Sequence, residues 1–221
     1  MGNRFFGSKA TSGLIQPLAA MMPPHSVYIE THLGGGEIMR RKPPALRNIG
    51  IDRDRRVIDR FRCGYPVELV GECCHEYLAG YPFDGTELVY SDPPYLHSTR
   101  KSQRRYRFDY DDADHETLLA LLRSLPCAVM LSGYPSAFYD ALLPDWRSVS
   151  LQVMNQAGVV TEKIWFNFEL NRFHWPSYAG RNFTDRQRIK RKAESWGRRY
   201  RAMPPMERLA IMASLLEADH G

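Results

Sequence analysis

Residues 87–95 read Glu87-Leu88-Val89-Tyr90-Ser91-Asp92-Pro93-Pro94-Tyr95. The stretch 87–92 is rich in β-prone apolar residues and predicts a strand. Two prolines then end it, because proline has no N–H to give a ladder and fixes φ, so Tyr95 is carried on a stiff turn just past the strand. With Pro at about 5% of residues, an Asp/Asn/Ser-Pro-Pro-aromatic string arises by chance in only about 1% of chains this long. Outward from it, similar short runs recur at 27–31, 47–52, 67–71, 127–133, 147–154 and 161–168, making seven candidate strands. Helical patterns lie between them. Residues 12–22 put Ile15, Leu18, Ala19 and Met22 on one face, with Pro17 starting or kinking the helix. Residues 114–125 place Leu118, Leu121, Leu122 and Leu125 at helical spacing behind aspartates suited to cap them. Strands alternating with helices predict an α/β fold with a mostly parallel sheet. Only about six residues around Gly158 separate the last two strands, so these should pair antiparallel as a hairpin.

In an open α/β sheet, ligands bind beyond the carboxyl ends of the strands, where the strand order reverses. Strands one and four are expected to flank that point. The first runs into Glu30-Thr31-His32-Leu33-Gly34-Gly35-Gly36, a turn whose glycines let the backbone approach a bound molecule. The second ends at Asp52, a carboxylate suited to accept hydrogen bonds from ribose hydroxyls. A nucleoside held there would lie beside Asp92-Pro93-Pro94-Tyr95.

Taken in order, these segments resemble the amino-group DNA methyltransferases, specifically the Dam-like (D12 class) N6-adenine methyltransferases that use S-adenosylmethionine, in the compact form carried by phages and prophages. The resemblance spans about 160 residues: Phe6-Gly7-Ser8-Lys9, the turn at 30–36, Asp52, Asp92-Pro93-Pro94-Tyr95 and the closing strands at 161–168. It implies a Rossmann-like seven-stranded methyltransferase sheet whose last strand is antiparallel. It also implies a catalytic set of Asp92, Pro93, Pro94 and Tyr95, and cofactor contacts from Phe6, Gly7, Ser8, Lys9, Glu30, Thr31, Gly34, Gly36, Asp52 and Asp92. Lys9 would face the cofactor's carboxylate. Two departures stand out. Alignment puts Cys73 where the family carries an Asp near the cofactor's adenine. Only 39 residues separate Asp52 from Asp92, so the family's usual target-recognition insert is absent from its place.

The tetrapeptide has a chemical logic of its own. The lone pair of adenine's exocyclic amine is delocalised into the ring, so a site must draw on its N–H groups with acceptors that favour a tetrahedral nitrogen. The Asp92 carboxylate and the Pro93 carbonyl can do so, with two prolines preorganising them. Tyr95 offers a face for the base. A base inside a duplex must be flipped out at a cost of a few kcal/mol, offset by stacking of about 1–3 kcal/mol. Methyl transfer from a sulfonium is an in-line displacement that calls for no metal ion.

The 221 residues carry 30 Lys+Arg against 25 Asp+Glu, a net charge of +5. Residues 181–201 hold nine basic residues against Asp185 and Glu194, a net of +7, which leaves the rest of the chain at −2. Thr184 to Gln187 has the form of a capping box, so a basic helix is expected from there, and a last helix after Pro204-Pro205. Within it Arg188, Lys190, Arg191 and Lys192 are candidate phosphate contacts. The loop after Tyr95 interleaves Arg100, Lys101, Arg104, Arg105 and Arg107 with Tyr106, Phe108 and Tyr110. Basic and aromatic residues beside an active site suit phosphates and a flipped base, so Arg100, Lys101, Arg104, Arg105 and Tyr106 join the nucleic-acid set. The expected organisation is a catalytic domain over 1–168 and a basic helical extension over 169–221.

No apolar run approaches the 18 or more residues of a membrane span; 209–213 (LAIMA) ends at Ser214. The N-terminal stretch lacks a cleavable-leader pattern and a myristoylation site. Four cysteines without CxxC pairing point to a reducing, cytoplasmic setting. Cys73-Cys74-His75 lacks a second ligand pair, so no metal site is expected. The expectation is a cytoplasmic DNA adenine N6-methyltransferase with no membrane partner. RNA adenine methylation is the first alternative and a catalytically silent nucleic-acid-binding module the second. Cytosine N4 or protein glutamine transfer more often goes with Ser-Pro-Pro-Tyr or Asn-Pro-Pro-Tyr.

Overall fold

The structure is a computed structural model that describes residues 14–99, 107–155, 158–170 and 183–219. The chain divides into two compact units, Met1–His174 and Trp175–Gly221.

The first unit is built on seven strands: β1 (Val27–Glu30), β2 (Arg47–Ile51), β3 (Glu68–Val70), β4 (Glu87–Ser91), β5 (Ala128–Gly133), β6 (Arg147–Asn155) and β7 (Gly158–Phe166). They form one sheet in the order β3-β2-β1-β4-β5-β7-β6. β1 to β5 run parallel, and β7 lies antiparallel between β5 and β6. This is the Rossmann-like sheet with a reversed last strand that the sequence implied. β1 and β4 are neighbours, and the order runs away from them in both directions, so the switch point falls between them. Register brings their ends together: Glu30 of β1 pairs with Gly50 of β2 and Tyr90 of β4.

β4 is buried at every position, as a strand covered on both faces must be. Its one charge, Glu87, is satisfied locally: the carboxylate accepts from the N–H of Asp84 at 3.1 Å and of Gly85 at 3.0 Å. Around the sheet lie α1 (Ile15–Met21), α2 (Glu37–Arg41), α3 (Arg55–Arg60), α4 (Cys74–Gly80), α5 (Asp112–Ser124) and α6 (Ala137–Leu142). α5 is capped reciprocally, Asp111 accepting from the Asp114 N–H and Asp114 from the Asp111 N–H. It sends Leu118, Leu119 and Leu122 into the core with Val89, Val129 and Leu131.

Several boundaries differ from expectation. β7 begins at Gly158, three residues before the expected 161, because Val159 and Val160 prolong the ladder until Asn155 pairs with Gly158. In α5 the buried set includes Leu119, while Leu121 is half-buried, since the buried stripe is wider than a single i, i+3, i+4 row. Pro17 lies in the first turn of α1, where its missing N–H has no intrahelical partner to lose.

The second unit contains α7 (Phe183–Ala202) and α8 (Pro205–Asp219). α7 starts one residue before Thr184, so that residue lies inside its first turn instead of flanking it as a cap. α8 starts on Pro205, the first-turn position that proline favours, rather than after it. Among the described residues no helix is long and apolar enough to cross a membrane.

Candidate active site

The turn after β1 is shaped by backbone geometry that only glycine accepts readily. Gly34 and Gly36 have φ of 48° and 61°, in the left-handed region. A Cβ on Gly36 would also stand 2.2 Å from Cε2 of Phe61. The turn is tied to the end of β2 by Asp52, whose carboxylate accepts from the Gly34 N–H at 2.9 Å and the Asp54 N–H at 2.8 Å. Burial raises the Asp52 pKa, and these two bonds oppose the rise. Asp52 therefore first shapes the glycine turn; a carboxylate with about four acceptor sites keeps capacity for a ligand hydroxyl.

Turn and tetrapeptide open into one cavity of about 310 Å³ beyond the strand ends. On the side of the glycine turn it is lined by Glu30, Thr31, Gly34, Gly36, Asp52 and Cys73, and on the other by Asp92, Pro93, Pro94 and Tyr95. Ten sequence-predicted residues thus meet in one place. Cys73 sits at the N-cap of α4, its side chain making no cap bond, and lines the same cavity. Phe6, Gly7, Ser8 and Lys9 lie outside the described residues, as do Arg100, Lys101, Arg104, Arg105 and Tyr106.

Asp92 accepts a hydrogen bond from Ser132 Oγ at 3.0 Å, and Tyr95 Oη donates to Glu162 Oε1 at 2.9 Å. Glu30 is 3% exposed and accepts from Tyr28 Oη at 3.0 Å. Burial, chiefly, pushes its pKa up to about 8; Asp92 adds to the rise, while the Tyr28 bond and Lys42 oppose it. Lys42, equally buried, donates to the Pro43 carbonyl at 2.8 Å and lies 4.1 Å above the Tyr28 ring, and burial pulls its pKa down to about 8. Sequence reading missed Lys42, since nothing in Arg40-Arg41-Lys42 separates a buried lysine from a solvated one.

The segment after the basic loop returns to the cavity through Arg107, Phe108 and Tyr110. Tyr110 Oη lies 3.1 Å from His32 Nε2, 3.5 Å from Cys74 Sγ and 3.3 Å from His75 Nε2, fixing this segment against the turn. Arg107 pairs with Asp54 at 3.3 Å, and the guanidiniums of Arg53 and Arg107 each stand 5.5 Å from the Phe108 ring centre. The rim is cationic and aromatic. Among the described residues no group of three or more His, Cys, Asp or Glu could hold a metal ion.

In the second unit, Arg188, Lys190, Arg191 and Lys192 are exposed on α7. Arg188 pairs with Asp185 at 2.8 Å and Lys190 approaches Glu194 at 4.0 Å.

No protein-family model matches the sequence, and no curated protein matches it. Among solved structures, the chain is similar to the 23S rRNA methyltransferase ErmE, with 13% identity, a TM-score of 0.47, and coverage of 74% of this chain and 69% of that one. A dimethyladenosine transferase from Plasmodium falciparum matches with 16% identity, a TM-score of 0.44, and coverage of 69% and 60%. A putative methyltransferase from Streptococcus mutans, solved in complex with SAH, matches with 14% identity, a TM-score of 0.41, and coverage of 69% and 94%.

Proposed function

We propose that this protein transfers a methyl group from S-adenosylmethionine to the N6 amino group of a flipped-out adenine in DNA. The observation that carries the reading is the meeting of the Asp92-Pro93-Pro94-Tyr95 turn with the glycine turn and Asp52 in one cavity at the switch point. Glycine backbone at positive φ suits close approach of a nucleoside cofactor, and about 310 Å³ lies at the small end of small-molecule sites. The N–H-rich turn and Asp52 would hold it, with Cys73 at its adenine end. Once bound, the cofactor supplies an electrophilic methyl group on a sulfonium.

The chain's own residues do the remaining work. Asp92 and the Pro93 carbonyl accept the two amine hydrogens and hold the nitrogen lone pair out of conjugation. Prolines on both sides of the peptide keep those acceptors from reorganising. Tyr95 stacks on the base and offsets the cost of flipping. Asp92 then stands where the amine's surplus proton is released. Exposed cations on α7 and the Arg107 rim supply phosphate contacts, which position the nucleic acid without reading its sequence.

Incubating purified protein and methyl-labelled S-adenosylmethionine with unmethylated DNA, or with total RNA, tests the reading. Label should enter DNA as N6-methyladenine; label in RNA alone would replace DNA by RNA as substrate, and label in neither would end the proposal. Asp92→Ala should lower kcat by at least about 10²–10³-fold while cofactor affinity, measured calorimetrically, stays near that of the wild type. Equal loss of both would remove Asp92 from the catalytic role.

A further inference from the structure

The tetrapeptide is held by two buried polar side chains from the next two strands of the sheet, β5 and β7. Ser132, wholly buried on β5, has Oγ 3.0 Å from Asp92 Oδ1 and 2.9 Å from Tyr90 Oη. Ser132 donates its single hydrogen to Asp92 at 3.0 Å in preference to the more distant Ser91 carbonyl at 3.5 Å, which leaves Tyr90 to donate to Ser132. The result is a directed chain from Tyr90 through Ser132 to Asp92, anchored in the core. The terminal torsion of an aspartate is broad when left to itself, and this chain sets the plane of the carboxylate.

Glu162, 3% exposed on β7, accepts the Tyr95 hydroxyl at 2.9 Å. The ring of Tyr134, just past β5, lies 4.4 Å from that of Tyr95 at an interplanar angle of 47°. Tyr95 is thus fixed at its hydroxyl end and braced by a second ring before any base arrives. Burying a carboxylate is costly unless it is satisfied, so Glu162 at this depth calls for a partner such as the Tyr95 hydroxyl.

We propose that Ser132 and Glu162 are positioning residues, Ser132 aiming the Asp92 carboxylate at the amine and Glu162 setting the Tyr95 ring for stacking; the proposal rests on the methyl-transfer reading above. The two act on different parameters. Misaiming an acceptor slows the chemical step, whereas a loosened ring weakens capture of the base.

Steady-state methylation by the full-length protein, with whichever nucleic acid the wild type methylates, separates these roles, with cofactor affinity measured by calorimetry. Ser132→Ala should lower kcat about 10- to 100-fold with cofactor Kd unchanged, and Ser132→Thr, which keeps the donor, should recover most of it. Glu162→Ala should raise KM for the nucleic acid about tenfold with little change in kcat. Glu162→Gln keeps an acceptor for the Tyr95 hydroxyl and should stay close to the wild type. Wild-type kinetics in Ser132→Ala or Glu162→Ala would overturn the assignment. So would Thr and Gln variants as impaired as the alanines, or cofactor binding lost in all four, because packing would then account for both residues. Absence of transfer by the wild type fails the methyl-transfer reading and this proposal with it, whereas the other adverse results fail the positioning roles alone.

Discussion

His32 and Glu30 stand two residues apart in the lining of the cavity and give stability opposite responses to pH. Burial, with His75 and His115 nearby, pulls the His32 pKa from its ordinary 6.5 down to about 3. Between those values the unfolded chain binds a proton that the folded chain refuses, so the His32 contribution falls as pH falls below about 6.5. Glu30 behaves the other way: with its pKa raised from 4.5 to about 8, the folded chain keeps a proton that the unfolded chain releases. Its contribution therefore falls as pH rises from about 4.5 to about 8. Lys42 changes nothing below about 8, where folded and unfolded chains both hold its proton. From about pH 4.5 to 6.5 the two slopes oppose each other, and from 6.5 to 8 Glu30 is the one of these three groups that still titrates, at a limit of about 1.4 kcal/mol per pH unit. Urea unfolding at pH 5, 6.5 and 8 should show little change over the first interval and a loss over the second. His32→Phe should then expose a fall between 5 and 6.5, and Glu30→Gln should abolish the fall above 6.5. A His32→Phe profile parallel to that of the wild type would show that His32 does not titrate as its burial requires.

At the level of elements, α5 links the core to the cavity. Its capping box joins Asp111 Oδ1 to the Asp114 N–H at 2.8 Å and Asp114 Oδ2 to the Asp111 N–H at 3.0 Å, directly after Tyr110 turns in toward His32. Asp111→Ala removes an acceptor from an otherwise unsatisfied N–H and should cost about 1 kcal/mol, read as a lower urea midpoint at unchanged m-value. An unchanged midpoint would mean that the aspartates only solvate the helix start. This cap was legible in the sequence, as were the seven strands, the reversed hairpin and the cavity's glycine, acid and tetrapeptide, because each is local: a period, a breaker or a cap within a few residues. What the sequence hid is non-local. Ser132 and Glu162 meet Asp92 and Tyr95 across 40 and 67 residues of chain, contacts that exist only once β5 and β7 take their places in the sheet. Lys42 was hidden for the same reason, since its burial comes from tertiary packing rather than from its neighbours in sequence.

Over the whole molecule, the net charge belongs to the second unit: residues 175–221 sum to +5, whereas residues 1–174 sum to zero. The +7 of residues 181–201 outweighs the net −2 of all other residues, and most of it is carried on α7. Few acids offset it: Arg188 and Lys190 have ion-pair partners on the helix itself, and both pairs are half or more exposed on the basic side. Exposed pairs of this kind contribute about 0–1 kcal/mol each, too little to compete with a polyanion. Binding through such a helix is governed by counterion release, so affinity falls with salt in proportion to the phosphates neutralised. Reversing charge at Arg188, Lys190, Arg191 and Lys192 together should weaken binding to duplexes of unrelated sequence alike. It should also flatten the slope of log K against log salt by up to about 3.6 if each residue meets one phosphate. Stability should hardly move, because the four side chains are exposed and outside the core. Fluorescence anisotropy across a salt series reads both quantities. An unaltered slope would remove α7 from the interface and leave nucleic-acid capture to the Arg107 rim of the cavity, whereas a loss confined to one sequence would make α7 a reader of bases instead of a grip on phosphate.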